Sequence, residues 1–176
     1  MLPPGHVAVG YLAFSLLRRA WHGDVPSDVS IPWLVVGSQV PDLIDKPLAW
    51  SFGILSSSRS LAHSLLFAVP LVLLVDHWLR RRNRSAAGEG FAVGYLSHLA
   101  TDAIPALRDG PEWVTFLVWP LLAPPQYASR PPLWPPSVYF SSAELAVGIA
   151  VAVLWIADGL PGLGYAQSVR NRLLNR

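Results

Sequence analysis

Cysteine is absent from the 176-residue chain, which excludes a disulfide framework and any thiolate metal site. Charge is scarce too. Asp, Glu, Lys and Arg make up 14% of the residues, against about 25% in soluble domains, too little to keep an ordinary surface wet. A net charge of +2 beside 52% hydrophobic residues excludes a disordered chain, which needs low hydrophobicity and high net charge. Basic residues do not alternate with aromatics along one face, so no nucleic-acid partner is expected. A secretory signal is missing as well: the opening Met1-Leu-Pro-Pro-Gly-His6 has no basic region, and the apolar stretch after it ends in arginine.

What is present is apolar and arginine-punctuated. Mean hydropathy is +0.39, with 8 tryptophans and 17 prolines, and the length allows a single domain over 1–176. Lys46 is the lone lysine. The arginines gather as Arg18 with Arg19, then Arg80, Arg81, Arg82 and Arg84, then Arg170, Arg172 and Arg176, each group just beyond an apolar run, as the positive-inside rule describes.

Hydrophobic runs and breakers predict an all-α, membrane-associated bundle of about five helices. The first covers residues 6–21, and a second runs over 32–44, with Pro41 as a kink and Pro47 as a stop. A Ser-rich loop leads to a third over 61–79, nearly long enough at about 1.5 Å per residue to cross a hydrocarbon layer of about 30 Å. After a polar turn over 83–90, the fourth helix covers 91–104 and ends at Pro105. Residues 105–140 read as a Pro-rich extramembrane or re-entrant insertion, with the apolar piece 113–122 running into Pro124, Pro125, Pro131, Pro132, Pro135 and Pro136. The fifth helix covers 143–157, beginning beside Glu144, whose role the sequence leaves open, and 160–176 forms a basic tail.

Placing the arginine groups on the cytoplasmic side and letting each helix run straight across gives a multi-pass protein of the cell membrane with the lipid bilayer as partner. His6, Asp42, Asp45, His63, His98 and Asp102 then collect at the outer end. Helices one and two are short for full spans, which leaves a shallow or partly peripheral bundle as the alternative.

His98 and Asp102 share one helix face four residues apart, and Gly94 one turn earlier leaves room for a close neighbour. Asp42 and Asp45 share another face. Ionisable groups in apolar segments are costly unless they are paired, neutralised or bound to an ion. Mixed His and Asp donors suit a divalent transition metal, zinc first with manganese or iron as alternatives, and there are enough for one or two ions. Such an ion lowers the pKa of water and polarises phosphoryl oxygens, which makes hydrolysis a natural role. Each residue also has a plainer reading. His6 is a surface or capping residue, Asp45 a surface partner of Lys46, His63 a helix cap, and His98 with Asp102 a buried hydrogen-bonded pair. Asp76 and His77 fall at the opposite end, beside arginines.

The segments Gly37-Ser-Gln-Val-Pro-Asp-Leu-Ile-Asp45, Arg59-Ser-Leu-Ala-His-Ser-Leu-Leu66 and Gly94-Tyr-Leu-Ser-His-Leu-Ala-Thr-Asp102, preceded by His6, resemble the small membrane-bound, predicted metal-dependent hydrolases that include the bacterial YdjM and YbcI proteins. The resemblance covers roughly residues 5–105 and implies Asp42, His63, His98 and Asp102 as metal ligands. The order of His and Asp is also similar to zinc-dependent phospholipase C, an all-helical phosphodiesterase, which is a likeness of fold. Two departures stand out: Ser58 occupies a position where many members carry histidine, which bears on a second metal, and the acidic motif is Asp-x-x-Asp rather than Asp-x-Asp.

The sequence therefore points to a metal-dependent hydrolase of a phosphodiester or phospholipid-like substrate. His6, Asp42, His63, His98 and Asp102 are its metal ligands, Asp45 is a base or second-metal ligand, and Arg59 binds substrate phosphate through its planar fork. Arg59 reads equally as a snorkelling interfacial residue. The rival is a non-catalytic membrane protein in which the same cluster is a structural ion site or polar network. A transporter fits less well, because transport sites lie near the midplane. Oligomeric state is open.

Overall fold

The computed structural model describes residues 3–126 and 142–174, and all regular structure among them is helical. The α-helices are α1 (Pro3–His22), α2 (Ser30–Trp50), α3 (Leu65–Arg80), α4 (Ser85–Asp109), α5 (Ser142–Ala157) and α6 (Leu163–Leu174), with a 3-10 segment, Pro111–Val118, between α4 and α5. The fold is all-α, as expected. Prolines 131, 132, 135 and 136 lie outside the described residues.

Helix α4 is the axis of the bundle and packs against α1, α2, α3 and the 3-10 segment, while α5 lies against α1. Phe91, Tyr95 and Leu99 of α4 form one apolar core with Ala68 and Val72 of α3. Tyr11 and Phe14 of α1, Leu34 of α2 and Val151 of α5 form the other. Helices α2 and α4 touch backbone to backbone. A Cβ on Gly94 would stand 2.3 Å from the Leu34 carbonyl oxygen, and one on Gly37 would stand 2.3 Å from that of Phe91. Small residues at this crossing are what allow the close approach.

Several boundaries differ from the sequence reading. Residues 85–90, expected as a turn, form the first turns of α4, because Gly88 and Gly90 are contact residues: their Cβ atoms would stand 2.3 Å from Asp76 Oδ1 and from the Ser30 carbonyl oxygen. Helix α4 continues through Pro105 to Asp109, and α2 continues through Pro41 and Pro47 to Trp50. A proline costs a helix one hydrogen bond, but burial of Pro41 and of Ala103 and Ala106 holds these turns in place. The apolar piece read over 113–122 starts as a 3-10 helix, Pro111–Val118, and the expected tail contains α6, whose approach is pinned by the Gly162 N–H donating to Asp28 Oδ1 at 2.5 Å.

The straight crossing expected of helix three does not appear. α3 has 16 residues, about 24 Å of helix, and no described helix is both long and apolar enough to cross a membrane. Apolar side chains are nonetheless left uncovered: Leu66, Leu73 and Leu74 on α3, and Leu145, Ile149, Val153 and Ile156 on α5.

The two ends of the bundle differ. His6 and Arg18 are separated by about 18 Å along α1, and Glu89 and Asp102 by about 20 Å along α4. Arg18 reaches Glu89 at 2.8 Å, so the charged pairs around the arginines lie at one end and the His and Asp residues at the other.

Candidate metal centre

His6 from α1, Asp42 and Asp45 from α2, His63 from the loop before α3, and His98 and Asp102 from α4 are all buried at this second end. Every candidate ligand and Asp45 is thus brought together. Arg59 joins them, with Nη2 donating to Asp102 Oδ1 at 2.9 Å and Nε lying 2.8 Å from Asp102 Oδ2.

The three imidazoles are oriented by their Nδ1 atoms. His63 Nδ1 lies 2.8 Å from Asp45 Oδ2, and His98 Nδ1 lies 2.7 Å from the Ser38 carbonyl oxygen. Both partners only accept, so both rings carry the proton on Nδ1. His6 Nδ1 lies 2.8 Å from Thr101 Oγ1, whose hydroxyl already donates to the His98 carbonyl oxygen at 2.8 Å, so here too Nδ1 donates. Each Nε2 is left to face the cluster. Histidine ligands are commonly held in this way by a partner on the other nitrogen.

The Gly94 contact explains the reach of His98. With α2 and α4 at backbone distance, the His98 ring spans from its own helix to the carbonyl of Ser38, one turn before Asp42. His63 depends on Asp45 instead. That fully buried carboxylate accepts the backbone N–H groups of Ser60 at 2.8 Å, Ala62 at 2.9 Å and His63 at 3.2 Å, besides His63 Nδ1. Tyr95 adds a second anchor by donating to the Ala62 carbonyl at 2.6 Å. His63 does not cap α3; the Ser64 side chain does, accepting from Leu66 N–H at 3.2 Å.

The Nε2 atoms of His63 and His98 stand 3.2 Å apart. Asp42 Oδ1 lies 3.7 and 3.8 Å from them, and Asp102 Oδ2 lies 3.5 and 3.7 Å from them. A tetrahedral shell with bonds of about 2.0–2.2 Å has edges of about 3.3–3.6 Å, near these separations, and ligand atoms, one each from Asp42, His63 and His98, lie within 4.8 Å of one another. Burial opposes charge on His63, but hydrogen bonds to Asp102 and Asp45 outweigh it and raise the His63 pKa above that of an ordinary imidazole. The surrounding carboxylates therefore favour positive charge at His63.

Lys46 pairs with Asp42 Oδ2, one turn along α2, and not with the adjacent Asp45. Its side chain is 31% exposed and that of Arg59 is 24%, whereas those of Asp42 and Asp102 are 9% and 4%. The solvent-reached rim is thus formed by two cations. The sequence reading does not single out Ser38 or Thr101, and it pairs Lys46 with Asp45. The i, i+4 spacing of Asp42 and Lys46 was a readable signal, whereas a backbone carbonyl and a threonine hydroxyl carry none.

An all-helical bundle with a buried His and Asp cluster at one end and uncovered leucine-rich helix faces describes a membrane protein with a candidate metal centre. A model of the YdjM inner membrane protein family matches residues 1–165, and the chain belongs to that family. Membrane location accounts for the uncovered faces of α3 and α5. No curated protein and no solved structure matches the chain. The family match specifies no reaction and gives no support for likeness to phospholipase C.

Proposed function

We propose that the protein is a membrane-bound, metal-dependent hydrolase acting on a phosphodiester or phospholipid-like substrate. The observation that carries this reading is the convergence of two imidazole Nε2 atoms and two carboxylate oxygens, with both ring Nδ1 atoms committed elsewhere. The donors are neutral nitrogen and anionic oxygen, a set that fits zinc, manganese or iron. His63, His98 and Asp42 would hold the ion, with Asp102 Oδ2 beside the two imidazoles. When bound, it would supply Lewis acidity toward a phosphoryl oxygen and a source of nucleophilic water at neutral pH.

The remaining residues prepare the site. Asp45 holds the 60–63 loop and turns His63 Nε2 inward, a positioning role rather than that of a base. Ser38 and Thr101 do the same for His98 and His6. Arg59 and Lys46, at the rim, would attract the anionic substrate through their positive charge. The separation of this end from the arginine-rich end supports a site near the extracytoplasmic face, with the arginines at the cytoplasmic one.

One observation favours the rival reading of a structural polar network: Lys46 and Arg59 already neutralise Asp42 and Asp102. Wild type and His63→Ala, assayed with Zn²⁺ or Mn²⁺ against a chromogenic phosphodiester and dispersed phospholipids, separate the two. The hydrolase reading expects metal-dependent turnover that His63→Ala abolishes. Metal-loaded protein inactive on every substrate would favour the network.

A further inference from the structure

Building on the metal-site reading above, we infer that the cluster holds one divalent ion, bound by Asp42, His63 and His98, and that Arg59, paired with Asp102, occupies the place a second ion would need. Two groupings of donors are close enough to hold an ion: His6 with His98 and Asp102, and Asp42 with His63 and His98. They share His98, whose Nδ1 is committed to the Ser38 carbonyl at 2.7 Å. One lone pair on Nε2 serves one ion, so the groupings are alternatives and cannot be filled together.

Ring orientation decides between them. An imidazole nitrogen presents its lone pair in the plane of the ring. His6 and His98 are stacked, with centroids 3.9 Å apart and planes 18° from parallel, so an ion lying in the plane of one ring is well out of the plane of the other. The planes of His63 and His98 cross at 63° with the Nε2 atoms 3.2 Å apart, so one position beside both nitrogens can lie in both ring planes.

A second ion would be left with His6 Nε2 and Asp102 Oδ1, which are 3.8 Å apart. Arg59 already holds both oxygens of that carboxylate, Oδ1 through Nη2 at 2.9 Å and Oδ2 through Nε at 2.8 Å. Charge points the same way. Asp42, Asp45 and Asp102 against Lys46 and Arg59 leave one negative charge when the histidines are neutral, and a single divalent ion turns this into one positive charge, which a monoanionic phosphodiester would balance. Two ions would leave three positive charges in a buried cluster, which is strongly unfavourable.

The test is a metal count on full-length protein in detergent, stripped of metal and titrated with Zn²⁺ by calorimetry, with Mn²⁺ followed in parallel by electron paramagnetic resonance. One equivalent per chain and the spectrum of an isolated Mn²⁺ are expected. His6→Ala and His6→Gln, checked for intact helix content, should each keep that equivalent with an affinity within about tenfold of wild type. Arg59→Gln, which clears Asp102 Oδ1, should take up a second, weaker equivalent. Two equivalents or a coupled Mn²⁺ pair in wild type would overturn the single-ion assignment while leaving the metal site standing. Loss of binding in both folded His6 variants would overturn the ligand set, and an Arg59→Gln count that stays at one would overturn the role of Arg59. No binding in wild type would remove the metal-site reading itself.

Discussion

His63 Nε2 and His98 Nε2 stand 3.2 Å apart, while the opposite nitrogen of each ring is held by a group from α2, the Asp45 carboxylate for His63 and the Ser38 carbonyl for His98. One helix thus aims two imidazoles that reside on other elements. The consequences of this arrangement can be measured at the helix contact, at the carboxylate that holds the loop, at a remote polar anchor and across the membrane.

Gly94→Ala should be among the most damaging small substitutions. Its Cβ would stand 2.3 Å from the Leu34 carbonyl oxygen and 3.0 Å from Ser38 N, backbone atoms that cannot step aside. Forced overpacking costs about 1–3 kcal/mol, and it should also lift His98 away from Ser38 and weaken metal binding. Gly148→Ala on α5, where nothing lies within 4 Å, is the control. It should be neutral or stabilising by up to about 1 kcal/mol. Unfolding in detergent measures both.

Asp45→Ala removes the acceptor shared by three backbone N–H groups and the His63 ring. Partners of ligating histidines are typically worth 10- to 100-fold in metal affinity, so a loss of about that size is expected while His98 remains in place. Zn²⁺ titration of Asp45→Ala beside His98→Ala checks it. An unchanged affinity would show that the loop does not need its anchor.

Much of this arrangement was legible in the sequence, and the limits have physical causes. The His98-x-x-x-Asp102 pair and the paired aspartates could be read because helical periodicity puts them on shared faces, and all six polar residues do meet. The helix ends could not, because glycine and proline look like punctuation until their neighbours are known: Gly88 and Gly90 serve close packing, while Pro41 and Pro105 sit inside helices. Lys46 was matched to the neighbouring Asp45, although in a helix the residue one turn back, Asp42, is the one within reach. The engagement of Asp45 with the 60–63 loop is a tertiary contact that no local pattern encodes.

Asp158 tests stability apart from the site. Its carboxylate accepts from Tyr11 Oη at 2.6 Å and Ser15 Oγ at 2.7 Å and pairs with Arg19, tying the residue after α5 to α1. Asp158→Ala should destabilise the fold by about 1–3 kcal/mol, because buried hydroxyls lose their acceptor. Metal content measured below the unfolding transition should not change.

Topology can be read with single cysteines, since the chain has none of its own. Ser51, Asp109 and Ser85 are exposed, the first two toward the metal-site end of α2 and α4 and the third at the start of α4. An impermeant maleimide on intact cells should label Ser51→Cys and Asp109→Cys but spare Ser85→Cys. The reverse pattern would put the site on the cytoplasmic face.

The most direct measurement is elemental analysis of protein purified without chelators, with wild type and His98→Ala handled side by side. His98 Nε2 lies within 3.2–3.8 Å of the candidate ligand atoms of His63, Asp42 and Asp102, so its loss opens the shell. Close to one zinc, manganese or iron per wild-type chain is expected, and little in His98→Ala. Absence of all three metals from wild type, or equal content in both proteins, would contradict the metal-site reading.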